Sequence, residues 1–87
     1  MKSNEVKVKD VERVIKAINK ISTKFSSEYR IYVNEEQRVY NLSMYRLSID
    51  MFPRLPDERV FLHEYYDMNE LYKAAVQIAA WEGITKF

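Results

Sequence analysis

The chain has 87 residues, of which 47% are hydrophobic and 31% charged, with a formal net charge of +1 and no cysteine. This length suits one domain, 1–87, rather than two, and the apolar share argues against disorder. Without cysteine there are no disulfide staples, thiolate metal sites or cysteine nucleophiles, and a reducing compartment fits.

Residues 1–10 carry no apolar run after Lys2, so no secretory signal is expected. No stretch approaches the ~18 to 20 apolar residues that cross a bilayer, so a cytoplasmic location and no membrane partner are expected. The first clear element is a helix over 9–25. Val11, Val14, Ile15, Ile18, Ile21 and Phe25 recur at three- and four-residue spacing, which marks one buried stripe. Asp10 and Glu12 in its first turn, with Lys20 and Lys24 in its last, suit the helix dipole. Val6 and Val8 fit either a short strand or an extra helical turn.

Residues 28–34 alternate, with Tyr29, Ile31 and Val33 on one side and Arg30 and Tyr32 on the other, as in a half-buried strand. A polar four-residue turn over 34–37 follows. Residues 38–50 read two ways. As a strand, Tyr40, Leu42 and Met44 share a face, and the later slip to Leu47 and Ile49 implies a bulge near Tyr45. As a helix, Leu42, Tyr45, Ile49 and Phe52 line up. The strand is preferred, because a short turn joins antiparallel neighbours.

Residues 51–57 form a connection, with Pro56 and Asp57 suited to the centre of a type I turn. A third strand spans 58–66. Val60, Leu62 and Tyr66 oppose Phe61, His63 and Tyr65, so both faces carry bulk and a central or doubly covered strand is expected. Asp67, with Glu70 three residues on, resembles a capping box that opens a second helix. Leu71, Ala74, Ala75, Ile78 and Trp81 give that helix a wide apolar face, Gly83 suits a left-handed cap, and Ile84 and Phe87 are placed to fold back on the core. The predicted fold class is α+β in the order α-β-β-β-α, a three-stranded antiparallel sheet with two helices packed on one face.

Catalytic patterns are missing. The lone His63 precedes Glu64, but on a strand the two point to opposite faces and cannot share a metal. Ser43 and Ser48 lack flanking elbow glycines, and with Gly83 as the only glycine neither a phosphate-binding loop nor a dinucleotide fingerprint can be written. The acidic pairs Glu35–Glu36 and Asp57–Glu58 sit in turns, where solvated carboxylates are ordinary. No enzyme, cofactor or metal is therefore expected.

Two surfaces remain. Lys9, Arg13, Lys16, Lys20 and Lys24 make a basic stripe on the first helix, opposite its apolar stripe. Charge is uneven along the chain, with eight basic and four acidic side chains in residues 1–33 against six and nine in 34–87. Tyr32, and either Tyr40 or Tyr45, are expected on the sheet face away from the helices, where Arg30 and Arg46 have rings to stack on. The order α-β-β-β-α is shared with the double-stranded RNA-binding domain. That family grips phosphate with lysines at the start of its second helix, where this chain has Asp67, Asn69 and Glu70, so the shared order carries no function.

The expected function is a small non-enzymatic protein-interaction module, of a kind common among phage and mobile-element accessory or inhibitor proteins. It would dock through its tyrosine-bearing sheet, a sheet edge or the basic helix, onto another protein or a second copy of itself across the edge of the second strand. The alternative is a nucleic-acid-binding domain that uses Arg13, Lys16, Lys20 and Lys24.

Overall fold

The computed structural model describes residues 6–48 and 56–87. In chain order the elements are α1 (Val8–Ser22), a 3₁₀ turn (Thr23–Phe25), β1 (Ser27–Asn34), β2 (Val39–Arg46), β3 (Glu58–Tyr65) and α2 (Met68–Trp81). The strands form one antiparallel sheet in the order β1-β2-β3, so β2 is central and β1 and β3 are its edges. No helix among the described residues is long and apolar enough to cross a membrane.

The start of α1 is fixed by the Asp10 carboxylate, which accepts the Lys7 backbone N–H at 2.9 Å. Val8 is its first residue and Val6 precedes it. Val11, Val14, Ile15 and Ile18 are buried, as the stripe predicts, but Phe25 is 75% exposed. The helix closes at Ser22, and the 3₁₀ turn that follows takes Phe25 off the stripe. At the other end of the chain, Asp67 caps α2 by accepting the Asn69 N–H at 3.1 Å. Gly83, at φ 75°, completes a Schellman cap in which Ile84 N–H reaches Ala79 C=O and Gly83 N–H reaches Ala80 C=O. Ile84 packs against the core, and Phe87, 39% exposed, lies beside Ala17 and Ile21 of α1.

Register decides which face of the sheet is which. Tyr29, Ile31 and Val33 lie opposite Met44, Leu42 and Tyr40, which lie opposite Phe61, His63 and Tyr65. This face meets the helices, and Leu42 and Tyr40 are buried in it beside Leu71, Ala75 and Ile78 of α2. The other face carries Arg30, Tyr32, Asn41, Ser43, Tyr45, Leu62 and Glu64.

Residues 39–46 are thus strand, not helix. The turn runs over 35–38, one residue later than predicted, with Asn34 Oδ1 accepting Gln37 N–H at 3.0 Å. An irregularity does occur at Met44/Tyr45, but the extra residue is on the partner strand: Met44 pairs with Phe61 and Tyr45 with Arg59, so Val60 is the bulged residue. Ile49, most of the 51–57 connection and the beginning of the turn at Pro56 lie outside the described residues.

The main correction concerns β3. It is an edge strand with most of its side chains exposed, neither central nor covered on both sides. Alternation on its two faces is real, but bulk on both faces reflects sparse cover. β2, whose edge was expected to offer self-pairing, has both edges taken by its neighbours.

Candidate interaction surface

The helices share the cover of the sheet unequally. α1 packs on β1 and on α2, whereas α2 makes only thin contacts with β2 and β3. The helix-side face of β3 is consequently left partly open. A groove of about 290 Å³ runs there, floored by Tyr29, Leu42, Phe61, His63 and Tyr65 and walled by Ala74, Gln77, Ile78 and Trp81 of α2. Its aromatic rings are in contact range: the Tyr29 and Phe61 centroids are 6.2 Å apart, and those of Phe61 and His63 are 5.2 Å apart, both tilted. Burial, with the charge of Glu82 second, pushes the Tyr29 phenol above its ordinary pKa. Among the described residues no carboxylate or ammonium lines the groove.

Trp81 is the clearest departure from the helical pattern. It lies in the apolar stripe of α2 yet is 74% exposed, because the part of the sheet beneath it belongs to the thinly covered edge. Leu62 and Val60, on the outermost strand, are also exposed, at 45% and 43%. Together with Tyr66, whose hydroxyl donates to Glu64 at 2.6 Å and is thereby held above its ordinary pKa, they make an apolar margin along one side of the molecule.

The tyrosine-bearing face has a different character. Tyr45, not Tyr40, accompanies Tyr32 there. Tyr40 faces the helices and is buried, opposite Tyr65. Arg30 does stack, its guanidinium lying 4.0 Å from the Tyr45 ring centroid, but its charge is already engaged. It donates to Glu28 at 2.5 Å and to Asp57 at 3.1 Å, tying β1 to the entry of β3. Arg46 pairs with Glu58 at 3.6 Å instead of stacking on a ring. Most of this face is knitted to itself, and Tyr32 is left 59% exposed.

The basic stripe is partly gathered into a second hollow. Arg13, Lys16 and Lys20 line it with Lys86 of the tail, over an apolar floor of Ala17, Ile21, Ile84 and Phe87, with a volume of about 520 Å³. Lys24, in the 3₁₀ turn, stands outside it. A third hollow, at the start of α2, sets Arg38 among Glu35 and Asp67, a mixed charge with no single preference. Among the described residues no three metal-ligating side chains cluster.

The sequence pattern missed Phe61, Leu62, His63 and Trp81 as one surface. Each was visible as apolar or aromatic, but strand order decides which strand is an edge, and no local pattern states it. Comparison with protein-family models, curated proteins and solved structures gives no match to this chain.

Proposed function

We propose that the chain is a protein-interaction module without catalytic activity, and that it docks through the outer edge of β3 and the apolar groove between β3 and α2. One observation carries this reading: an edge strand presents Val60 and Leu62 to solvent while Trp81 stands open above the adjoining groove. Unpaired strand edges recruit further strands through their free N–H and C=O groups, and apolar side chains beside the edge supply the affinity. Aromatic anchors such as Trp81 are the residues that most often dominate such interfaces.

The test is retention of binding partners, a second copy included, by the wild-type protein and by Leu62→Lys and Trp81→Ala. Both residues are exposed, so both variants should keep the fold by circular dichroism. A partner held by the wild type and lost by both variants is the expected result. A protein that self-associates with nothing and retains nothing would refute the reading.

A second reading is supported by the four cations around one hollow, Arg13, Lys16, Lys20 and Lys86, with no acidic residue among the described residues that line it. That arrangement suits phosphate or an acidic protein segment. Its apolar floor is an argument against nucleic acid, and salt dependence separates the two readings.

A further inference from the structure

We propose that the occupant of the β3 edge is a second copy of this chain, paired antiparallel about a two-fold axis at Leu62. The result is a continuous six-stranded sheet. This inference rests on the reading of β3 as the docking edge and names its partner.

The two edges of the sheet are not equivalent. On β1, the Asn19 side chain of α1 accepts the Tyr29 N–H at 2.8 Å and donates to the Tyr29 C=O at 2.9 Å. It occupies the place a neighbouring strand would take at Tyr29 and obstructs pairing at that end of the edge. Among the described residues, no hydrogen bond does the same for the outer edge of β3.

The same two bonds fix the hydrogen-bonding phase of the sheet. The polar groups of Tyr29 point away from β2, so by alternation those of Arg30 point toward it and meet Ser43. On β2 the next residues along, Leu42 and Met44, then point to β3 and meet His63 and Phe61. The groups left facing outward on β3 are those of Leu62 and Glu64. A two-fold axis at Leu62 is therefore in phase, each Leu62 giving its N–H and C=O to the other.

Side chains agree with that register. On the open face Leu62 meets its own copy. On the helix face Phe61 meets His63 of the second copy, and the two apolar grooves adjoin across the seam with a Trp81 above each. The bulge at Val60 places Arg59 on the same face as Glu64, because Arg59 pairs with Tyr45. Each Glu64 thus lies beside Arg59 of the other copy, giving two ion pairs related by the axis. Shifting the axis to Phe61 breaks the hydrogen-bonding phase and brings Glu64 level with Glu58, a like-charge contact.

The experiment measures mass by sedimentation across dilution, and cross-linking of single-cysteine variants, which the cysteine-free chain makes specific. The wild type is expected to sediment at twice its 10.5 kDa and Leu62→Lys at 10.5 kDa, both folded by circular dichroism. Directly opposed hydrogen-bonded residues have Cα atoms about 5.5 Å apart, within disulfide reach. Leu62→Cys should therefore join under mild oxidation, and Tyr32→Cys, on the far strand, should not. Arg59→Glu and Glu64→Arg should each raise the dissociation constant about tenfold, and the double reversal should restore it. A wild-type monomer, or equal cross-linking of both cysteines, would overturn the proposal. If that monomer still holds another protein and Leu62→Lys releases it, the docking edge stands and only the second copy is wrong. If it holds nothing, both fall.

Discussion

Backbone with positive φ falls on residues with side chains in this protein. Besides Gly83, Ser26 sits at φ 62° and Arg38 at φ 54°. The left-handed region costs an L-residue about 1 to 2 kcal/mol, and a chain with one glycine meets that cost wherever a turn demands it. Arg38 ends the β1–β2 turn, and its exposed side chain takes part in no salt bridge described for the molecule. Arg38→Gly is accordingly expected to stabilise the protein by about 0.5 to 1 kcal/mol after the entropy of glycine is counted. The corresponding rise in Tm, about 2 to 8 °C, is readable in a thermal melt. Arg38→Val should move the melt the other way, since a β-branched side chain is least at ease there. An unchanged Tm for both would show that the turn relaxes out of this conformation. The sequence hinted at this strain through the polar turn without glycine, but not at which residue bears it.

Asn19 links two elements, and its role is a matter of which element it reaches. It lies on α1, where asparagine is a mediocre helix former, and it was silent in a pattern built from apolar spacing and charge. Its amide completes the hydrogen bonding of Tyr29, with Ser22 Oγ donating to the same Oδ1 at 3.3 Å. Asn19→Ala leaves a half-buried N–H and C=O without partners and is expected to cost about 2 kcal/mol in urea denaturation. Asn19→Asp keeps an acceptor for the N–H but sets a carboxylate against the Tyr29 C=O, so it should not rescue. Rescue by Asp would mean that the bond to the carbonyl contributes nothing. The other elements show what local pattern does carry. Helical spacing in Val11, Val14, Ile15 and Ile18, and the alternation of Tyr29, Ile31 and Val33, located α1 and β1 and their buried sides, because those residues face a complete core. The same reasoning placed Phe25 and Trp81 inside and β3 in the middle of the sheet. At Phe25 the helix has already ended, whereas at Trp81 and β3 the periodicity is sound and what is missing is the neighbouring element to cover it. Long-range order alone decides that, which is why the candidate site was the least legible part of the chain.

At the scale of the molecule, the two uncommitted surfaces differ in chemistry and are separately observable. The β3 margin is apolar and carries Trp81, the only tryptophan, whereas the hollow beside α1 is cationic and has no tryptophan in its lining. Tryptophan emission therefore reports on one surface and not the other. Docking at β3 removes Trp81 from water and is expected to shift its emission to the blue as protein concentration rises, with a much shallower salt dependence than phosphate contact, because apolar burial is not screened and only the two Arg59–Glu64 pairs are. Contact of Arg13, Lys16, Lys20 and Lys86 with duplex phosphates behaves in the opposite way. With four charges engaged, affinity falls about a hundredfold between 50 and 200 mM salt, and Trp81 has no reason to respond. A titration with labelled DNA and RNA, duplex and single-stranded, at low salt distinguishes them when the emission of Trp81 is followed in the same samples. The expected outcome is a salt-tolerant blue shift abolished by Leu62→Lys and no nucleic-acid binding. Salt-sensitive binding that Arg13→Glu with Lys20→Glu removes, without any shift in Trp81, would transfer the function from the sheet edge to the basic hollow.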